Sequence, residues 1–135
     1  MLVMLKRTAT CPVRLTRGTL YLVVGIDDSN FRIVNDGGDP VLCPSRDFDV
    51  VEASLPEDWI RFDFPDGEYF IDPPDTSAPG FYEDVADAMP DAVAVFKVTW
   101  TRLNAWQDGL SASSRTDRDA GARERSRSKD VEDDG

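Results

Sequence analysis

At 135 residues the chain is long enough for one domain and too short for two of ordinary size. A hydrophobic content of 41% predicts a folded protein, while the formal net charge of −11 disfavours nucleic acids and membrane surfaces as direct partners, because proteins that bind them cluster Lys and Arg against phosphate. The chain has no histidine, which excludes imidazole as a general base and as a zinc ligand.

The amino terminus indicates no export. Its apolar run MLVML is shorter than the core of a signal peptide and precedes the charged residues instead of following them. No stretch reaches the roughly eighteen apolar residues of a membrane helix, and two cysteines, Cys11 and Cys43, are too few for a disulfide framework. We expect a cytoplasmic protein with a flexible N-terminus over residues 1–12 and with Cys43 as a small core residue.

Strands are predicted in the first half of the chain. In TLYLVVGI, apolar side chains alternate with period two and share one face: Leu20, Leu22, Val24 and Ile26. Gly25 is predicted to mark a bend that closes the sheet. A possible earlier strand lies around Val13 to Leu15.

Tight turns join the strands that follow. Residues 27–30 form a turn into FRIVN, where Phe31 and Ile33 share a face. The glycines of residues 36–39 form a second turn before a short strand at 41–43, and DFDVVEA supplies another strand. Four or five short antiparallel strands linked in this way are typical of a small barrel.

The pattern then changes. Ser54 and Glu57 match a capping box, which predicts a short helix through Trp59 and Ile60. A brief strand over Glu68 to Ile71 follows, and then a short amphipathic helix in the segment GFYEDVADA.

The segment DAVAVFKVTWTRL fits both helical and strand spacing. Its β-branched residues favour a strand, whereas its length and its start at Pro90 favour a helix, which we predict for residues 91–105. From residue 107 the chain is almost free of apolar side chains, so residues 107–135 are predicted to be a disordered, mixed-charge tail. Residues 13–106 then form the single domain.

Negative charge is concentrated in the middle third. Residues 47–91 contain fourteen acidic residues and one basic residue, a net charge of −13, with aromatic residues among them. Such a surface suits a basic protein partner. The predicted partner-binding residues are Asp63, Asp66, Glu68, Tyr69, Tyr82, Glu83 and Asp84. The alternative is that the aromatic residues only cover the open side of the barrel while the acids face water.

No motif indicates catalysis, a metal or a cofactor. The acidic turns lack the spacing of a calcium-binding loop, and the glycines lack that of a phosphate-binding loop. The carboxylates are spread evenly, whereas catalysis needs one of them in an apolar pocket with a raised pKa. We therefore predict no catalytic residue, no metal site and no cofactor, and expect that the protein is not an enzyme.

The stretch LTRGTLYLVVGIDDSNFRIVNDGGDPVLCPSRDFDVVEA, together with the later acidic loop PGFYED before a helix, resembles small acidic single-domain bacterial proteins with an SH3-like barrel. The resemblance covers residues 13–105. It implies an α+β fold, with a small SH3-like β-barrel followed by short helices and a tail. Most proteins of this group have no assigned activity, so the resemblance carries no site residues.

These observations favour a non-enzymatic protein-binding module that uses an acidic, aromatic face. A toxin-immunity-type inhibitor is a sharper version, a mimic of the charge of DNA is an alternative, and a small enzyme is a further one. The oligomeric state and the identity of the partner stay open.

Overall fold

The fold is α+β, as the sequence predicts. The computed structural model describes residues 1–9 and 14–129, the segment 113–129 by its backbone alone. Residues 1–101 form one compact unit, and the chain from residue 102 onward forms a second. The strands are β1 Leu2–Leu5, β2 Leu20–Asp27, β3 Asn30–Val34, β4 Pro40–Pro44, β5 Phe48–Glu52, β6 Ile60–Asp63 and β7 Tyr69–Asp72; the helices are α1 Phe81–Ala86 and α2 Pro90–Lys129; 3-10 turns lie at Ser45–Asp47 and Pro74–Thr76.

The strands of the described part pair in antiparallel fashion. Their order along the sheet is β4-β3-β2-β1-β5, and β7 also pairs with β2 and carries β6. One edge of β2 therefore pairs with two strands, since Leu22 lies opposite Leu2 of β1 and Ile26 lies opposite Ile71 of β7, while β3 pairs along the other edge. The second half of β2 thus lies directly beside β7, which matters for the candidate site.

The amino terminus forms a strand, so the flexible N-terminus predicted for residues 1–12 is wrong at Leu2–Leu5. This segment is β1, which lies between β2 and β5, and Val3 is fully buried. A four-residue apolar run is too short to show a period, so the strands on both of its sides define it. The strand predicted over residues 13–15 is not found in its described part, and residues 10–13 lie outside the described residues.

β2 contains an irregularity that exchanges its faces. Its pairing with β3 shifts register between Val23 and Gly25, where the bend was predicted. Tyr21 and Val23 enter the core before the shift, and Ile26 enters it afterwards. A single extra residue moves every later side chain to the other face. The predicted buried face is therefore wrong at the start of the strand, where Leu20 is 45% exposed.

The largest buried cluster lies on one face of the sheet, while Val24, Val34 and Phe96 are buried outside it. The β2–β3 hairpin directs Phe31 and Ile33 into this cluster, as predicted, and the Phe31 ring packs against Phe48 with the ring centroids 6.2 Å apart. Cys43 is fully buried there, as the sequence indicates. The buried cluster consists of Val3, Leu5, Ala9, Tyr21, Val23, Ile26, Phe31, Ile33, Cys43 and Phe48.

The helix predicted from the capping box is wrong. Only a turn forms there, in which the Trp59 amide donates to the Pro56 carbonyl over 3.3 Å, and the chain then enters β6. Every residue of β6 pairs with β7, from Ile60 opposite Asp72 to Asp63 opposite Tyr69. Pairing with a strand further along the chain outweighs a capping signal that acts only locally.

Both later helices form where they are predicted. α1 lies within the segment GFYEDVADA, and residues 91–105 belong to α2. The structure differs from the disordered tail predicted for residues 107–135, because α2 continues to Lys129; residues 130–135 lie outside the described residues. The prediction of disorder relies on the small number of apolar residues, which limits burial. A helix also forms through local backbone hydrogen bonds, and no proline interrupts this segment.

Candidate functional site

A cavity of about 340 Å³ lies against the face of the sheet opposite the core cluster. Strands contribute two acidic side chains and one basic side chain to it. The loop after β7 and the start of α1 form the remaining wall. The lining comprises Asp27, Arg32, Phe64, Phe70, Asp72 and residues 76–83. We call it the Asp72 cavity.

Strand alternation directs Asp72 into this cavity. Tyr69 and Ile71 pack against the core cluster, so Phe70 and Asp72 face the other way. The backbone of β2 leaves room for the carboxylate at Gly25, since a Cβ added to that glycine would collide with Oδ1 of Asp72. A glycine beside β7 is therefore a condition for the position of Asp72.

Asp72 is a half-buried carboxyl group without a partner. Within the described residues it forms no hydrogen bond and no ion pair. Burial raises the pKa of Asp72 to about 7, while the Arg32 guanidinium opposes this effect and the Asp27 charge adds to it. The group can therefore gain or lose a proton near neutral pH.

Arg32 and Tyr82 are in contact at the cavity. The guanidinium carbon of Arg32 lies 3.8 Å from the centroid of the Tyr82 ring, a cation–π geometry. Tyr82 is held by edge-on contacts with Phe81, at 5.1 Å, and with Phe96 of α2, at 5.9 Å. Its hydroxyl is buried and forms no hydrogen bond of good geometry within the described residues. Burial raises the pKa of Tyr82 to about 12, and the nearby Thr76 hydroxyl acts in the opposite direction.

Three phenylalanines border the cavity on the β6–β7 hairpin. Phe62 stacks on Phe70 across the two strands, with centroids 5.5 Å apart, and Phe64 meets Phe62 edge-on at 4.8 Å. Phe62 is 50% exposed and Phe64 is 44% exposed. We call Phe62, Phe64 and Phe70 the phenylalanine cluster. Phe64 and Phe70 also line the Asp72 cavity, so the cluster and the cavity form one continuous surface.

The structure separates the predicted binding residues into two groups. On α1, Tyr82 and Glu83 line the Asp72 cavity, and Asp84 is exposed one residue further on. The Tyr82 hydroxyl does not reach solvent, so this residue offers its ring to the cavity and not its polar end.

The other group lies on the β6–β7 hairpin. Asp63 forms an ion pair with Arg61 at 3.0 Å, and Asp66 accepts a hydrogen bond from the Glu68 backbone amide at 3.0 Å within the turn. All three acids are exposed. Tyr69 packs against the core cluster, with the Arg61 guanidinium 4.2 Å from the centroid of its ring.

Sequence reasoning missed the charged residues of the cavity floor. It expected evenly spread acids that face water, whereas Asp72 is half-buried and its pKa is raised to about 7. A signal was present for Arg32: if Phe31 and Ile33 face the core, Arg32 must face the other way. Asp72 likewise follows a core-facing residue, Ile71, so it must face away from the core. The sequence around it does not indicate that a loop covers this outer face of β7.

The negative charge of the middle third faces outward. Of the fourteen acidic residues between positions 47 and 91, eleven are exposed and three are partly buried. The exposed ones are Asp49, Glu57, Asp58, Asp63, Asp66, Glu68, Asp75, Glu83, Asp84, Asp87 and Asp91. This distribution places most of the negative charge of the middle third on the surface, where it contributes to the potential that an approaching partner meets.

Other parts of the described chain offer less chemistry. A second cavity of about 450 Å³ is lined by Asp75 and by Ala94, Val95, Val98 and Thr99 of α2, so Asp75 is its one charged lining residue. No group of three or more Cys, Asp or Glu side chains in the described part of the chain is arranged to hold a metal ion. Nor does any helix there combine the length and apolar character needed to cross a bilayer.

Comparisons with protein-family models, curated proteins and solved structures found no match to this chain.

Proposed function

We propose that this chain is a non-enzymatic cytoplasmic protein-binding module whose acidic, aromatic surface docks a partly apolar, basic partner. The observation that carries the proposal is the exposure of Phe62 and Phe64 in the phenylalanine cluster, 50% and 44%, on a hairpin whose other side chains include exposed acids. Aromatic rings held together in water beside charged groups resemble the core and rim of a protein interface. A partner that covers both rings would gain their burial.

Charge supports the choice of a basic partner. The middle third carries a net charge of −13, and eleven of its fourteen acids are exposed. Complementary charge of this size accelerates encounter and makes association sensitive to salt. Binding should therefore weaken as ionic strength rises.

We also propose that β1 to β5 form an SH3-like barrel. The antiparallel order β4-β3-β2-β1-β5, the 3-10 turn between β4 and β5, and the sharing of β2 between two neighbouring strands support it. β6 and β7 would extend such a barrel on the side of the Asp72 cavity. An experimental structure in which β1 and β5 lie in a flat, extended sheet would contradict this assignment.

The phenylalanine cluster helps to distinguish a mimic of DNA from a toxin-immunity-type inhibitor. A mimic of DNA needs carboxylates in paired rows, and exposed phenylalanines would add nothing to such a row. A toxin-immunity-type inhibitor needs both charge and an apolar anchor, so the phenylalanine cluster favours it over the mimic. An inhibitor of a basic active site is the sharper form of the proposed function.

A small enzyme is the second candidate, because Asp72 has the raised pKa of an acid or base catalyst. The two hydroxyl groups nearest to it in sequence are already engaged: Thr76 donates to the Pro73 carbonyl at 3.4 Å, and Ser77 to the Pro74 carbonyl at 2.9 Å. Neither hydroxyl donates to Asp72, so the carboxyl group activates neither of them as a nucleophile, and we favour binding over bond-making.

The test is a selection of random peptides displayed against the full chain. We expect enrichment of peptides that combine Lys or Arg with large apolar residues, and loss of that enrichment in the double variant F62S/F64S. The matched control is V50S/V51S, which removes two apolar side chains that are 48% and 55% exposed on β5. Enriched peptides that are acidic, that tolerate high salt, or that bind both double variants equally would contradict the proposal.

A further inference from the structure

We infer that the Asp72 cavity binds the guanidinium group of an arginine on the partner protein, with Asp72 as the charged acceptor and aromatic rings as walls. The inference rests on the proposed function and assigns a chemistry to one part of the docking surface. Four features carry it: the charge of the lining, the missing partner of Asp72, the aromatic walls, and the junction with the phenylalanine cluster.

The lining is negative overall. It contains three carboxyl groups, from Asp27, Asp72 and Glu83, against the single guanidinium of Arg32. With all four groups ionised, three negative charges and one positive charge leave a net charge of −2. Asp27 and Glu83 are exposed while Asp72 and Arg32 are partly buried, so water partly screens the excess negative charge, which still favours a cation over an anion in the cavity.

Within the part of the chain that the structure describes, no donor uses the acceptor capacity of Asp72. A half-buried carboxylate without a hydrogen bond is unfavourable, as its raised pKa shows. Arg32 lies close enough to influence Asp72 but forms no ion pair with it within 4.0 Å, because its guanidinium rests on the Tyr82 ring. A second guanidinium from outside could supply the missing donors in a bidentate geometry.

The walls suit a planar cation. Phe64, Phe70 and Phe81 line the cavity together with Tyr82, whose ring already carries one guanidinium. Arginine stacks on aromatic faces more readily than lysine, and its fork of donors matches a carboxylate. The volume of about 340 Å³ lies within the usual range of pockets that hold small ligands, roughly 300–1,000 Å³.

The cavity opens onto the phenylalanine cluster. Phe64 and Phe70 belong to both, so a partner residue that covers Phe62 would lie next to the group that enters the cavity. The predicted partner sequence therefore contains an arginine close to a large apolar residue.

The direct test is a titration of the isotope-labelled full chain with N-acetyl-arginine amide, followed by NMR. We expect shifts of the Asp72 carboxyl carbon and of the Phe64 and Phe70 rings. N-acetyl-citrulline amide has nearly the same shape without the charge, so it should bind at least about tenfold more weakly. The variant D72N should abolish the preference for arginine, while D58N, at an exposed carboxylate before β6, should keep it.

The pH dependence gives a second readout. Binding should be weaker at about pH 5.5 than at about pH 8, because Asp72 is protonated below its pKa of about 7 and then attracts the cation less. Asp27, Glu83 and Arg32 also face the cavity, as does the Tyr82 ring, so the pH effect belongs to Asp72 only if D72N removes it.

The two proposals can fail separately. Equal binding of the citrulline compound, shifts confined to other surfaces, no binding of the arginine compound, or an unchanged preference in D72N would each overturn the guanidinium site. If the peptide selection still depends on Phe62 and Phe64 in that case, protein binding stands without it. If the arginine compound binds at Asp72 but no peptide is enriched, the proposal of a protein-docking surface is contradicted and the proposal of a cation site stands.

Discussion

The carboxylate of Asp72 occupies the space that a side chain on Gly25 would fill. The two residues belong to β7 and β2, which pair at the next position through Ile71 and Ile26. Gly25 also marks the register shift that moves Ile26 into the core. One glycine thus sets the face of β2 and the position of the acid beside it.

Substitution G25A should therefore affect both stability and titration. The added Cβ collides with Oδ1 of Asp72, so the carboxyl group must turn towards solvent. We expect a loss of about 1–2 kcal/mol in the free energy of unfolding, typical of overpacking, and a fall in the pKa of Asp72 towards its ordinary value. Urea denaturation and NMR titration measure the two effects.

The control for this prediction is G109A, at a helical position where an added Cβ meets no atom within 4 Å. Alanine in an open helical position should leave stability unchanged or raise it by up to about 1 kcal/mol. Equal results for G25A and G109A would show that the contact between Gly25 and Asp72 is not tight.

A second prediction concerns the dependence of stability on pH. The pKa of Asp72 is raised from its usual 3.8 to about 7 in the folded chain, so the folded state holds a proton that the unfolded state has lost between these values. The contribution of Asp72 to stability is fully present below about pH 4 and is lost as the pH rises through about 7. D72N removes this loss.

At about pH 8, D72N should be more stable than the native chain by about 1–2 kcal/mol, less than the full shift because the carboxyl group stays partly in contact with water. The advantage should shrink as the pH falls towards 4. D58N controls for the general effect of removing one negative charge. A D72N advantage that is constant from pH 4 to pH 8 would contradict the assignment.

Two tyrosines provide a third, paired prediction. The Tyr82 hydroxyl is buried without a hydrogen bond of good geometry in the described residues, although the Thr76 hydroxyl lies near it, so Y82F should change stability by less than about 1 kcal/mol. The Tyr21 hydroxyl accepts from the Thr16 amide at 2.6 Å and donates to Asp36 at 2.7 Å, so Y21F should cost about 1–3 kcal/mol.

Ultraviolet titration of tyrosine ionisation gives an independent check. Burial raises the pKa of Tyr82 to about 12, so Y82F should remove the transition nearest to that pH. Greater destabilisation by Y82F than by Y21F would mean that the Tyr82 hydroxyl has a partner after all.

The sequence predicts the elements whose signals lie within a few residues. The β2–β3 hairpin, with Phe31 and Ile33 facing the core, needs only its turn and its alternation, and the helix after Pro90 needs only its start. β1 and β6 depend on partners further along the chain. Their own sequences are a short apolar run and a capping signal, so neither could be recognised alone.

The candidate site shows the same division. Tyr82 and Glu83 stand out locally as an aromatic residue beside an acid, and both line the cavity. Asp72 stands out only when the loop after β7 covers its face and Gly25 makes room for it. Its burial is a property of the tertiary structure, so its raised pKa could not be predicted from local sequence.

The phenylalanine cluster permits a test between a docking face and a mere cover for the sheet. If Phe62 and Phe64 serve a partner, their half-exposed rings contribute little to folding, and F62S/F64S should lower the free energy of unfolding by less than about 2 kcal/mol. Phe48 is 4% exposed in the core, so F48A should cost about 3–5 kcal/mol. Urea denaturation at neutral pH measures both variants. If F62S/F64S lowered the free energy of unfolding as much as F48A does, Phe62 and Phe64 would be part of the folding core. Rings that serve a partner are half-exposed in the free chain, so their removal should cost little stability.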